Sequence, residues 1–176
     1  IPAVNARLSS PRGVYAAADG TLYIADSANC RIRMVQTNGL ITTIAGTGVQ
    51  GYEGDGGAAT NARLRYPYGV TLNADGCLLI ADSYNMAIRL VDQQGVISTL
   101  AGTGGYGFNG DNLPAELARL NYPGGISVDK EGHVLVADLN NHRIRQIVPR
   151  QLSWSLEGTP PEGCVGATNI VLFASN

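Results

Sequence analysis

Two histidines and fourteen carboxylates are among the residues of this chain that could bind a metal ion or transfer a proton. His133 and His142 are expected at opposite ends of one apolar segment, so a single ion could not easily contact both. A zinc site needs about three or four protein ligands, and no Gly-x-Ser-x-Gly motif, phosphate-binding loop or Cys-His pair occurs. The sequence therefore predicts no catalytic residues, no metal site and no cofactor, and favours a protein that is not an enzyme.

Three aspartates and three arginines recur at a fixed interval of 56 residues. Each aspartate ends an apolar segment, and each arginine follows in the next one. A catalytic group is needed once, whereas a group that recurs in every copy suits a structural role. An aspartate beside an arginine, or one that caps a turn, satisfies buried polar groups. These structural residues are Asp26, Asp82, Asp138, Arg33, Arg89 and Arg145.

The same 56-residue interval separates Pro11, Pro67 and Pro123, and most of the chain follows it. Each copy holds four short apolar segments with turn-forming pairs such as Asp19-Gly20 between them. Such pairs favour two-residue hairpin turns, which predicts four antiparallel strands per copy, a, b, c and d in chain order. The longer segments between copies, at 47–66 and 103–122, are joints.

Strand b is apolar along nearly its whole length, for example at 78–81, so both of its faces should be buried. Four-stranded sheets that stack around an axis in this way are the blades of a β-propeller. An open β-sandwich is the alternative, but it needs no strict repeat and usually exposes one face of each sheet. The sequence predicts an all-β fold, a β-propeller of four-stranded antiparallel blades, with three blades in this chain.

Three segments resemble the NHL repeat: PRGV at 11–14, LYIADSANCRI at 22–32 and HRIR at 142–145. The likeness extends over about residues 1–158 and implies half of a six-bladed ring, since NHL proteins are mostly six-bladed propellers. It places a propeller domain at 1–160, with blades at about 11–46, 67–102 and 123–158. A divergent tail follows at 161–176, either a degenerate fourth repeat or a closing strand.

Three blades cannot close a ring, because closed propellers need about four to eight. Further blades from the same polypeptide, or a second copy in a homodimer, are expected to cover the open faces. The fourth strand of the third repeat, expected at 152–158, has diverged, and its Trp154 either covers an end of the stack or forms a contact surface. The joints resemble those of secreted and surface proteins of bacteria, which implies a secreted, periplasmic or cell-surface location.

The 12 basic and 14 acidic residues are spread along the chain, so binding to nucleic acid is not expected. No apolar segment approaches the roughly 20 residues that span a bilayer, and no membrane association is expected. Cys30, Cys77 and Cys164 lack the spacing of a metal site. They are free or buried thiols, or they include a disulfide that uses Cys164.

The joints emerge together with the b-to-c turns at one face of an up-and-down blade, and most of the aromatic residues lie there. Aromatic loops on a rigid scaffold suit binding. The predicted binding residues are Tyr52, Asp55, Tyr68, Tyr106, Phe108 and Asp111. The predicted function is a non-enzymatic NHL-type propeller segment that acts as a protein or glycan interaction module or a structural module. The alternatives are part of a lyase-type or lactonase-type propeller enzyme whose catalytic residues lie outside this chain, and an RNA-binding NHL domain, which needs a basic joint face.

Overall fold

The fold is known from a computed structural model, which describes residues 1–149 and, as a strand, residues 167–173. The predicted all-β architecture is confirmed, because the described strands form three four-stranded antiparallel sheets, each in chain order. The first sheet holds β1 (Pro11–Ala16), β2 (Leu22–Asp26), β3 (Arg31–Val35) and β4 (Ile41–Ala45). The second holds β5 (Gly69–Leu72), β6 (Leu78–Asp82), β7 (Ala87–Val91) and β8 (Ile97–Ala101). The third holds β9 (Pro123–Val128), β10 (Val134–Asp138), β11 (Arg143–Pro149) and β12 (Ala167–Phe173).

Short 3-10 turns are the only helical elements in the part of the chain that the structure describes. Three of them form the b-to-c turns. The other three lie at equivalent repeat positions before strand a, one ahead of β1 and two in the joints. The turns of the first kind are Ser27–Asn29, Ser83–Asn85 and Leu139–Asn141. Those of the second kind are Ala3–Asn5, Ala59–Asn61 and Ala115–Leu117.

Tight hairpins connect the first two and the last two strands of the first sheet, where the Asp-Gly and Asn-Gly pairs lie. Gly20 has a φ of 89°, a left-handed conformation that costs glycine little. Asp19 Oδ1 accepts the backbone N–H of Thr21 at 2.9 Å, which closes the turn. These local bonds fix the register in which Tyr15 lies opposite Tyr23.

The second sheet is buried on both faces, as the continuous apolar character of its strand b predicted. All five residues of β6 are buried. Leu78 and Ile80 pack against the first sheet and its joint, while Leu79 and Ala81 pack against the third. Successive side chains of a strand point to opposite faces, so one strand contributes to two hydrophobic cores. The inner strands β1, β5 and β9 lie side by side, which arranges the sheets as neighbouring blades.

The outward faces of the first and third sheets lack such a neighbour among the described residues. Val14 is 67% exposed, whereas Val70 at the same repeat position is 5% exposed. Ile144 is 48% exposed, whereas its counterpart Ile88 is 0% exposed. The same apolar pattern is therefore buried where a further sheet follows and exposed where none is described.

The outer edge of the third sheet is formed by β12, which pairs with β11 and has Ile147 opposite Ile170. The repeat predicts this fourth strand at 152–158, a segment that lies outside the described residues together with Trp154 and Cys164. Among the residues that the structure describes, no helix is long and apolar enough to cross a membrane.

Candidate binding face

Two kinds of loop meet at one end of the sheets. The b-to-c turns lie against the joints, because Asn85 Nδ2 donates to the Gly51 carbonyl oxygen at 2.6 Å and Asn141 Nδ2 to the Gly107 carbonyl oxygen at 2.8 Å. We call the surface formed by these turns and joints the joint face. The tight hairpins lie at the opposite end of the strands and form the hairpin face.

A buried aspartate ties strand b to strand c and to the preceding joint. Asp82 Oδ1 accepts the Arg65 backbone N–H at 2.7 Å. Its other oxygen accepts Asn85 Nδ2 at 2.8 Å and lies 3.4 Å from Arg89 Nη1. Burial raises the pKa of Asp82 to about 6, against the opposing effect of these donors. The ion pair recurs in the other sheets, between Asp26 and Arg33 at 3.5 Å and between Asp138 and Arg145 at 3.0 Å.

The first joint reinforces this arrangement in the second sheet. Asp55 forms an ion pair with Arg89 and accepts the backbone N–H of Thr99 at 3.0 Å. The ring of Tyr52 lies 5.1 Å from the Arg89 guanidinium, and its hydroxyl is 3.2 Å from Thr99 Oγ1. Two of the predicted binding residues, Tyr52 and Asp55, therefore hold the joint against the sheet.

The second joint repeats these contacts in the third sheet. Asp111 pairs with Arg145 at 2.9 Å, and the ring of Phe108 lies 4.1 Å from the Arg143 guanidinium. These two predicted binding residues are likewise engaged within the scaffold. Tyr106 is 76% exposed and takes no part in these ion pairs or ring contacts.

Tyr68, the remaining predicted binding residue, belongs to a cluster of four half-buried tyrosines on the joint face. Tyr84, in the b-to-c turn of the second sheet, is its centre. The Tyr84 ring centroid lies 4.9 Å from that of Tyr66, 5.9 Å from that of Tyr68 and 4.8 Å from that of Tyr122. The last two contacts are edge-to-face, the arrangement that aromatic rings favour. We call these four residues the tyrosine cluster.

Polar groups surround the tyrosine cluster. The guanidinium of Arg12 lies 4.0 Å from the centroid of the Tyr68 ring, and Gln50 Nε2 donates to the Tyr66 hydroxyl at 3.2 Å. Burial raises the pKa of Tyr68, the hydrogen bond with Tyr84 adds to this, and Arg12 opposes it. The phenol therefore stays protonated at neutral pH and can donate a hydrogen bond.

Family models match most of the chain. The model described as Teneurin NHL domain matches residues 1–51 and 48–109, and the model described as NHL repeat matches residues 120–147. The chain belongs to the NHL-repeat family. The resemblance seen in the three sequence segments is thereby confirmed.

The curated relatives of this NHL-repeat chain are much longer than it is. NHL repeat-containing protein 2 of Bos taurus is 34% identical over 156 residues, which cover 80% of this chain and 21% of that protein. Protein SUPPRESSOR OF QUENCHING 1, chloroplastic, of Arabidopsis thaliana is 34% identical over 133 residues, or 71% of this chain and 12% of that protein. Teneurin-m of Drosophila melanogaster is 29% identical over 161 residues, or 81% of this chain and 6% of that protein. This chain thus corresponds to a part of each.

Solved structures share the fold of the NHL-repeat chain. An auxiliary nutrient binding protein from Bacteroides ovatus superimposes with a TM-score of 0.65 at 23% identity, over 84% of this chain and 39% of that one. Virginiamycin B lyase from Staphylococcus aureus superimposes with a TM-score of 0.52 at 17% identity, over 80% of this chain and 38% of that one. A protein described as a putative gluconolactonase superimposes with a TM-score of 0.60 at 15% identity, over 92% of this chain and 48% of that one. At these identities the likeness shows the fold alone.

The tyrosine cluster arises where the NHL repeats differ from one another. Tyr84 stands where the first repeat has Ala28 and the third has Asn140. Sequence reasoning placed aromatic residues on this face and selected Tyr68, but it did not predict that four rings meet. The available signal is the recurrence of tyrosine at Tyr66 and Tyr122, one repeat apart.

A second group of polar side chains lies on the hairpin face of the third NHL blade. Ligand atoms of Asp129, Glu131 and His133 lie within 4.8 Å of one another. His133 Nδ1 is already 2.9 Å from Asp129 Oδ2, and Glu131 is exposed. The group forms a hydrogen-bonded hairpin turn, in which Asp129 also accepts the His133 backbone N–H at 2.8 Å.

The cysteines of the NHL blades differ in state. Cys30, in the first b-to-c turn, is buried and free. Cys77, just before β6, is buried and disulfide-bonded. The hypothesis that all three cysteines are thiols is therefore wrong for Cys77.

Proposed function

We propose that this NHL-repeat chain is a non-enzymatic recognition module whose joint face binds a protein or glycan partner. The observation that supports this most strongly is the tyrosine cluster, in which four half-buried rings meet beside an exposed arginine. Tyrosine and arginine are enriched among the residues that dominate binding energies. A rigid scaffold that presents them on loops limits the entropy lost on binding.

Tyr84 offers a clean test of this proposal. The first repeat has Ala28 at the same position, with the same 3-10 turn around it. Tyr84→Ala is therefore compatible with the backbone while it removes the centre of the cluster. Lys130→Ala is the control, because the Lys130 side chain is 89% exposed and lies on the opposite, hairpin face.

The experiment is a screen of the full chain against a glycan array and a panel of purified extracellular protein domains. We expect at least one ligand whose binding falls at least tenfold in Tyr84→Ala and stays within twofold of wild type in Lys130→Ala. Equal binding by both variants would contradict the proposal. A parallel screen with lactone and ester substrates tests the enzyme alternative, and turnover above background would favour it.

The outward sheet faces require partners of another kind. We propose that they are covered by further blades, from the same longer polypeptide or from a second copy of the chain. The exposure of Val14 and Ile144, whose counterparts in the second sheet are buried, supports this. Sedimentation velocity separates the two sources: a dimer at micromolar concentration supports a second copy, and a folded monomer supports further blades.

We also propose a secreted, periplasmic or cell-surface location. A structural disulfide persists in oxidising compartments and is rare in the cytosol, and Cys77 is disulfide-bonded. Alkylation of the protein from its native source without reductant should leave Cys77 unlabelled, and should label Cys30 only after unfolding. Labelling of Cys77 under these conditions would contradict the location.

A further inference from the structure

The two faces of the described blades differ in net charge. The hairpin face carries five acidic residues and one lysine: Asp19, Asp75, Asp92, Asp129, Glu131 and Lys130. All ten arginines of residues 1–149 lie in the joints, in the segment 1–10 before the first strand, or in strands a and c near the joint face. The joint side also holds the other seven acidic residues of this range, so its ten arginines leave an excess of three positive charges and it is the basic end of the molecule.

Six arginines of this basic end make no ion pair with any described residue, and four of the six are exposed. The exposed four are Arg7, Arg12, Arg65 and Arg119. The acidic residues of the same face are mostly engaged, since Glu53 pairs with Arg63, Asp55 with Arg89 and Asp111 with Arg145. Glu116 alone remains exposed and without an ion pair in the described ranges. A ligand of this face meets an excess of positive charge.

Arg12 brings this excess to the tyrosine cluster. Its guanidinium lies 4.0 Å from the centroid of the Tyr68 ring. Contact with an aromatic ring uses the flat face of the guanidinium and leaves N–H groups at its edge available. Those groups match the two oxygens of a carboxylate.

We propose that the ligand of the tyrosine cluster is a saccharide that carries a carboxylate, such as a uronic or sialic acid unit. This inference rests on the proposed recognition function. The carboxylate binds Arg12, and the sugar ring lies against Tyr68 and Tyr84. A tyrosine presents an apolar ring and a polar hydroxyl together, and these match the C–H groups and hydroxyls of a sugar.

An acidic peptide fits the same site less well. Acidic peptide motifs are recognised by clusters of several arginines, whereas Arg12 is the one arginine that contacts a ring of the tyrosine cluster among the described residues. The tyrosine cluster instead combines ring surfaces with polar groups, which include the Gln50 amide beside the Tyr66 hydroxyl. An acidic peptide that bound as tightly as a saccharide would contradict the inference.

The test compares each acidic saccharide with its uncharged methyl ester by isothermal titration calorimetry on the full chain. The probes are hexagalacturonate, a hexameric alginate and sialyllactose, each with its ester, together with hexaglutamate and a single-stranded RNA decamer. We expect at least one acidic saccharide to bind at least tenfold more tightly than its ester and than either polymer. Arg12→Gln should reduce that affinity at least tenfold, while Arg119→Gln, which removes another exposed arginine outside the cluster, should reduce it less than threefold.

Other outcomes separate the two proposals. If an ester binds as tightly as the acid and Tyr84→Ala abolishes both, the recognition function holds and the anionic class is wrong. If no acidic saccharide binds, if Arg12→Gln and Arg119→Gln behave alike, or if the RNA or hexaglutamate binds at least as tightly, the inference is also overturned. If Tyr84→Ala changes no binding at all, the recognition function itself fails.

Discussion

Removal of the Asp55 carboxylate should destabilise the protein far more than removal of a neighbouring surface charge. Arg89 is buried, with its side chain 1% exposed, while that of Asp55 is 50% exposed. In Asp55→Asn the guanidinium keeps Asp82 as its one charged partner among the described residues, with an oxygen 3.4 Å away. Breaking a fully buried ion pair costs about 3–5 kcal/mol. Because water reaches Asp55, we expect a smaller loss, about 2 kcal/mol of unfolding free energy.

The measurement is urea unfolding followed by far-ultraviolet circular dichroism. For a chain of this size, a loss of about 2 kcal/mol also lowers the melting temperature by about 4–8 °C. Glu53→Gln is the control, because Glu53 pairs with Arg63 at 3.4 Å with both side chains exposed. Such pairs contribute about 0–1 kcal/mol. If Asp55→Asn costs no more than Glu53→Gln, the joint does not stabilise the blade through Arg89, and the structural role given to Asp55 is wrong.

Three further changes test the packing and the buried charge. Ile88→Ala should cost about 2–5 kcal/mol of unfolding free energy, because Ile88 is fully buried. Ile144→Ala should cost less than about 1 kcal/mol in the chain alone, because Ile144 is exposed. Equal costs in urea unfolding would contradict this difference in burial. Ser83→Ala should cost about 1–2 kcal/mol of unfolding free energy, because the buried Ser83 hydroxyl donates to the Pro123 carbonyl oxygen of the next blade. An unchanged midpoint of urea unfolding would contradict this. The pKa of Asp82 is raised to about 6 in the folded state. Between about pH 4 and 6 the folded state therefore binds one more proton at Asp82 than the unfolded state does. The unfolding free energy falls as pH rises through this range, by at most about 1.4 kcal/mol per pH unit. Asp82→Asn should remove this slope, and an unaltered slope would assign it to other groups.

Much of the fold could be predicted because it depends on short-range patterns that recur. The Asp-Gly pair at Asp19-Gly20 determines a hairpin through its own side chain and backbone. The continuous apolar character of 78–81 required a neighbour on each side, and the second sheet has both. Such features need only the local sequence and the demand that apolar surface be buried.

The candidate site could not be predicted in the same way, because its contacts join different repeats. Asp55 lies in one joint, and the buried arginine that it pairs with is on strand c of the following blade. Nothing in the local sequence distinguishes this pairing from ligand binding by a loop aspartate. The meeting of Tyr84 with Tyr122 likewise depends on how the second and third sheets are placed side by side.

The distribution of differences among the repeats separates the scaffold from the site. Positions that must satisfy buried polar groups hold the same residue in every copy, as aspartate does at Asp26, Asp82 and Asp138. The position of Tyr84 instead holds alanine, tyrosine or asparagine in the three copies, although the backbone turn is the same in each. The turn therefore tolerates any of these side chains, and the fold alone does not account for the tyrosine. A binding site is needed once in a ring, so it should lie where one copy departs from the others, and the tyrosine cluster occupies such a place.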